Sequence, residues 1–123
     1  MTTGLILFAH GARDRRWREP FERLAQQVAE RHVGPVSLAF LEHMAPDLTQ
    51  AAVALAKAGA ERITVVPLFL GTGGHLRQDL PALVARAQAA AGIALSAVAA
   101  LGEDEAVLAA MAEYCLRGGR GAT

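Results

Sequence analysis

The sequence predicts a three-layer α/β fold in which a four-stranded parallel sheet, in the order 2-1-3-4, is flanked by helices. Three observations carry that expectation. Four short apolar runs recur along the chain without the polar alternation of a half-exposed strand, which suits strands buried on both faces. Segments with a single apolar stripe at helical spacing lie between them. The 123 residues, 53% of them apolar, supply one packed core and have no room for a second.

The first run, Leu5 to Ala9, stops at His10. A helix follows with Phe21, Leu24, Ala25 and Val28 on one face, then a second strand over Val36 to Leu41. Leu48, Ala52 and Leu55 mark a second helix, and Ile63 to Leu70 holds the third strand. Pro67 cannot donate a ladder hydrogen bond, so the regular part of that strand is expected to end near Val66. Leu80, Leu83, Val84 and Ala87 make a third helical face before the last strand, Ala94 to Ala99. The closing helix is expected from about Glu103 to Leu116, because Glu103, Asp104 and Glu105 favour a helix N-terminus and Val107, Met111 and Cys115 share a face. Gly118-Gly119 is read as its stop. One domain over residues 1–116 and a flexible tail at 117–123 follow from this reading. Strand-helix alternation with right-handed crossovers leaves few topologies open.

Composition narrows the function classes. Twelve basic residues balance twelve acidic ones, so no net field recommends nucleic acid or an anionic membrane as partner. Arg13, Arg15, Arg16, Arg18, Arg23 and Arg31 cluster among acidic residues, a pattern that suits a solvated helix face or a local anion site. Cys115 is the one cysteine, which excludes an intrachain disulfide and a Cys-pair zinc site and fits a reducing compartment. No apolar stretch approaches the ~20 residues of a membrane span, and the first residues lack a basic region and long apolar core of an export signal. A cytoplasmic protein is expected.

In a parallel sheet, ligands bind beyond the carboxyl ends of the strands, where neighbouring connections diverge to opposite faces. Strand 1 is followed by His10-Gly11-Ala12-Arg13-Asp14, strand 2 by Glu42-His43-Met44-Ala45-Pro46, and strand 3 by Gly71-Thr72-Gly73-Gly74-His75. With strands 1 and 3 adjacent at about 4.8 Å, His10 and His75 flank the crevice. Imidazole binds borderline divalent ions, so two facing histidines can share one metal and leave coordination positions open. Glu42 is a further oxygen ligand or a base. Asp14 and Asp79, each four residues after a histidine, are candidates to hold the second ring nitrogen. Gly73 and Gly74 permit close approach of a bulky ligand, but the loop lacks the lysine of a phosphate-cradling motif. Arg13, Arg16 and Arg77 lie beside the crevice as candidates to bind an anionic ligand through the bidentate guanidinium fork. Trp17 is a candidate either to stack on a flat ligand or to pack beneath the loop. His43 is an optional extra ligand, and His32 is assigned to a helix end.

These residues resemble the small class II chelatase family, the short CbiX-type sirohydrochlorin cobalt chelatases and their iron- and nickel-inserting relatives. The resemblance rests on His10-Gly11-Ala12-Arg13-Asp14, on Phe40-Leu41-Glu42 with Pro46 beyond, and on Val66-Pro67-Leu68-Phe69-Leu70 leading to His75-Leu76-Arg77. It spans nearly the whole chain and implies a chelatase-like half-domain working as a homodimer. It also implies that His10 and His75 bind the incoming metal, that Glu42 assists with metal or protons, and that Gly73 and Gly74 border the tetrapyrrole. The implied reaction inserts a divalent ion, Co²⁺ first and Ni²⁺ or Fe²⁺ as alternatives, into sirohydrochlorin, with no organic cofactor. Ala12 departs from the serine often found after the family's His-Gly pair. Two other classes compete: a non-catalytic metal- or tetrapyrrole-binding module, and a histidine-type phosphatase, whose motif needs arginine where Ala9 stands.

Overall fold

A computed structural model describes residues 1–121. In chain order it contains strand β1 (Thr3–Ala9), helix α1 (Glu19–Arg31), β2 (Val36–Phe40), α2 (Leu48–Lys57), β3 (Arg62–Pro67), α3 (Gly74–Ala91), β4 (Ala94–Ala97) and α4 (Glu105–Gly121), with short 3₁₀ turns at Arg15–Arg18 and Leu101–Glu103. The four strands form one parallel sheet in the order β2-β1-β3-β4, as expected.

The unbroken apolar run of β1 is explained by its central place in the sheet. Successive side chains of a strand point to opposite faces, and here both faces are covered. Ile6 and Phe8 join Ile63, Val65, Leu48, Ala52, Leu55 and Ala87 in the core beneath α2 and α3. Leu7 and Ala9 join Leu38 and Phe40 in a second core closed by Phe21, Ala25 and Val28 of α1. Leu24, expected on that apolar face, is instead exposed.

Local chemistry sets the helix starts and ends. α1 opens with Pro20 in its first turn and Glu19 and Glu22 near its positive end. α2 opens with a capping box: the Asp47 carboxylate accepts from the Gln50 amide, and the Gln50 side chain accepts from the Asp47 amide. α3 ends at Gly92, whose φ of 73° is the left-handed conformation that terminates helices.

β3 ends at Pro67, one residue past the expected end near Val66. Alternate residues of a strand bond to alternate neighbours. The Val65 carbonyl accepts from Val98 on the β4 side, and the Leu68 amide donates to Phe8 of β1. Position 67 therefore faces the β4 side, where a residue with an N–H would add the next rung, and the β3–β4 pairing stops at Val65–Ala97 for want of that donor. One expectation is corrected: α4 does not stop at Gly118-Gly119 but runs to Gly121, so residues 117–121 are helical rather than a loose tail. Glycine costs a helix interior about 1 kcal/mol relative to alanine, yet it keeps both backbone hydrogen-bonding groups, so the ladder continues. The rest of the expected tail, residues 122–123, lies outside the described residues.

Candidate functional site

The connections after β1 and β3 leave toward opposite faces, to α1 and α3, and a cleft opens at the carboxyl edge where they part. Its first wall is made by backbone contacts. The Leu41 amide donates to the Ala9 carbonyl (2.9 Å) and the Glu42 amide to the His10 carbonyl (3.0 Å), so the chain after β2 stays zipped beside the chain after β1. Gly11 turns away at φ 88°, and a Cβ there would stand 1.9 Å from the Glu42 carbonyl oxygen. Only glycine fits that approach. His10 is thereby held at the edge, exposed, next to Glu42.

The second wall comes from β3. Leu68 donates to the Phe8 carbonyl at 2.7 Å, which directs Phe69 inward, where it is buried under His10 with the two rings 4.5 Å apart. Gly102 of the second 3₁₀ turn donates to the Phe69 carbonyl at 3.1 Å and clamps the loop from behind. The chain then passes through Gly71 and Gly73 into α3, whose second residue is His75. Gly73 precedes the helix without a side-chain cap, and nothing stands within 4 Å of where a Cβ would be at Gly73 or Gly74, so the space above the loop is open.

His10, Glu42, Gly73 and His75 line one cleft of about 620 Å³, with Asp79 and Arg86 of α3 along its flank and Leu41, Leu76 and Leu83 as apolar walls. Other expected residues lie elsewhere. Arg77 faces a separate groove and donates to Thr72 Oγ1 at 3.1 Å. Arg16 is held by Asp14 at 2.9 Å, which places its charge on the surface beside the 3₁₀ turn. Arg13 is exposed and Gly74 is the first residue of α3, and neither lines the cleft. Asp14 caps the turn by accepting from the Arg16 amide instead of holding His10. The Arg16 guanidinium and amide keep the Asp14 carboxyl below its ordinary range.

His43 has φ 67° and turns from the cleft into a hollow with Arg15, Arg18 and Glu22, its Nε2 3.8 Å from Glu42. His32 bonds the Thr3 carbonyl at 2.7 Å, at the far end of β1. Trp17 packs on Phe21 at 4.4 Å and against Phe40 at 6.4 Å, beneath the loop. Among the described residues no three His, Cys, Asp or Glu side chains converge to enclose one ion. The chain by itself therefore presents two imidazoles at an open cleft, without a closed cage around them. Arg86 is a cleft residue that the sequence does not single out, although 75, 79, 82 and 86 share one face of an α-helix opposite its more conspicuous apolar stripe.

The comparisons with known proteins fall on this architecture. The CbiX family model matches residues 4–116. The chain belongs to the CbiX family. The crystal structure of a CbiX protein from Marinobacter aquaeolei VT8 superposes on this CbiX-family chain with a TM-score of 0.86 and 33% identity, covering 96% of this chain and 98% of that one. The sirohydrochlorin chelatase SirB from Bacillus subtilis subspecies spizizenii, in complex with cobalt, gives 0.80 and 28%, over 95% of this chain and 51% of SirB. In sequence, the sirohydrochlorin cobaltochelatase of Sulfolobus acidocaldarius is 36% identical over 78 residues, 63% of this chain and 63% of that relative. This chain thus spans less than two thirds of that relative and about half of SirB. No helix among the described residues is long and apolar enough to cross a membrane.

Proposed function

We propose that this protein is a metal chelatase that inserts a divalent ion, Co²⁺ first among the candidates, into sirohydrochlorin in cobalamin- or siroheme-type biosynthesis. The observation that carries the reading is that His10 and His75, each following a neighbouring strand, line one open cleft. It is supported by the sirohydrochlorin chelatases among the relatives, one of them in complex with cobalt.

In this mechanism the imidazoles hold the incoming ion on one face of the macrocycle through two positions and leave the others free. Tetrapyrrole nitrogens replace the remaining ligands one by one. Metal and macrocycle form four metal–nitrogen bonds and release two N–H protons. Glu42, exposed in the same cleft, accepts the two protons in turn and passes each to water, and His10 and His75 release the ion as the last metal–nitrogen bond forms. The apolar walls Leu41, Leu76 and Leu83 face the flat ring system. Gly73 lets the ring approach the backbone.

The reading includes a homodimer. Its support is α4, which packs on little besides the preceding 3₁₀ turn, and whose Leu108, Met111, Tyr114 and Leu116 are exposed. An apolar groove of about 520 Å³ between α3 and β4, lined by Leu80, Val84, Leu95 and Val98 among others, lies unfilled on the same chain. A second copy's α4 is of the right character to fill it, and the twofold length of SirB supports a paired arrangement. A cytoplasmic setting is supported by the single, unpaired Cys115.

The deciding experiment mixes sirohydrochlorin and Co²⁺ with substoichiometric protein and follows the absorbance change, wild type beside His10→Ala and His75→Ala. Multiple turnovers by wild type and a loss of about 100-fold or more in each variant are expected. A product yield that never exceeds the protein concentration would instead favour a carrier module.

A further inference from the structure

We infer that Arg86 is the carboxylate anchor of the cleft, pairing with one acidic arm of the tetrapyrrole so that the macrocycle's centre lies over His10 and His75; this rests on the chelatase reading above. Three observations on α3 lead to it. His75, Asp79, Ala82 and Arg86 all line the cleft and recur at intervals of three and four residues, so one face of the helix runs along the ligand space from the metal end outward. Arg86 follows His75 by three helical turns, ~16 Å of axis at ~1.5 Å per residue. Long helical side chains lean toward the N-terminus, which carries the guanidinium back toward His75 and the ring.

The other arginines near this edge are engaged or lie off the cleft, Arg13 and Arg15 lining no part of it. Arg16 is paired with Asp14, Arg18 donates to the Ala45 carbonyl, and Arg77 is bonded to Thr72 and faces the other groove. Among the described residues Arg86 makes no ion pair or side-chain hydrogen bond, and it borders both the cleft and the smaller hollow between α2 and α3. Its planar fork is free to take a carboxylate bidentately. Asp79, nearer the metal end of the same stripe, repels an acidic arm there. The order of signs along α3, with the acidic residue close to His75 and the basic one far from it, gives an acid-bearing macrocycle one preferred orientation.

Steady-state Co²⁺ insertion with varied sirohydrochlorin tests this in wild type, Arg86→Gln and Arg86→Lys, alongside Co²⁺ binding measured without tetrapyrrole. The expected result for Arg86→Gln is a KM raised about tenfold or more, the strength of a charge-assisted pair, with a smaller change in kcat and unaltered Co²⁺ binding. Arg86→Lys recovers part of the KM. An unchanged KM in Arg86→Gln, or a Co²⁺ affinity that falls as far as the KM rises, overturns the inference. If wild type turns over normally, either of those results counts against Arg86 alone; a wild type that does not turn over sinks the chelatase reading on which the inference rests.

Discussion

His10 lies against the buried ring of Phe69, with centroids 4.5 Å apart and planes inclined by 50°. Phe69 in turn meets Phe8 edge-on at 5.8 Å. The imidazole at the cleft therefore rests on a column of aromatic side chains rooted in the core, which limits its freedom before any ligand arrives.

Replacing Phe69 by leucine keeps most of the buried volume and removes the flat support. An aromatic pair of this kind is worth about 1 kcal/mol beyond its burial, so Phe69→Leu should unfold at lower urea, and Co²⁺ affinity should fall several-fold as His10 gains rotamers. Calorimetric titration beside chemical unfolding checks both. Lowered stability with unaltered Co²⁺ affinity would mean that the ring does not position the imidazole.

Gly11→Ala should be far more damaging than a typical surface change. The new methyl would meet the Glu42 carbonyl, at a φ that side chains rarely adopt. The loop must move, and the strained conformation alone costs about 1 kcal/mol or more. The expected result is a lower unfolding midpoint together with chelation reduced at least tenfold, because the displaced backbone carries both His10 and Glu42. Wild-type stability in this variant would show that the two loops are not locked together.

Met111→Glu puts a charge on the exposed apolar residues of α4. If α4 fills the α3–β4 groove of a second copy, analytical ultracentrifugation should find the variant shifted toward monomer at concentrations where wild type is dimeric. A monomeric wild type, or an unmoved equilibrium in the variant, argues against that packing.

Asp14 gives a pH-dependent signature of small size, since the pair with Arg16 is exposed. Its carboxyl is held below the ordinary 3.8 by the Arg16 side chain and then the Arg16 amide. A group whose folded value is depressed stabilises the fold above its unfolded value and loses that contribution as pH falls through the folded one. Asp14→Asn should therefore be slightly less stable than wild type at pH 7, with the difference shrinking as pH drops below about 4. Urea midpoints at both ends of that range measure it. A difference that grows toward acid would have the wrong sign for this pairing.

Much of the architecture was determined by the sequence alone, because burial on two faces leaves a direct imprint: Leu5 to Ala9 admits no polar residue, and the 3.6-residue stripes between the strands admit one apolar face each. That grammar led to the order 2-1-3-4 and to His10, Glu42 and His75 at one edge. The tertiary structure alone decided which way the loop side chains turn. His43 turns from Glu42's cleft, Arg77 faces the far groove and Arg86 the near one, since those directions follow from long-range backbone contacts such as Gly11 against Glu42 and from helix rotation about the sheet. Arg16, by contrast, meets Asp14 through a local cap two residues away. The extension of α4 through Gly118 and Gly119 was likewise settled by the backbone, whose hydrogen-bond ladder glycine weakens without breaking.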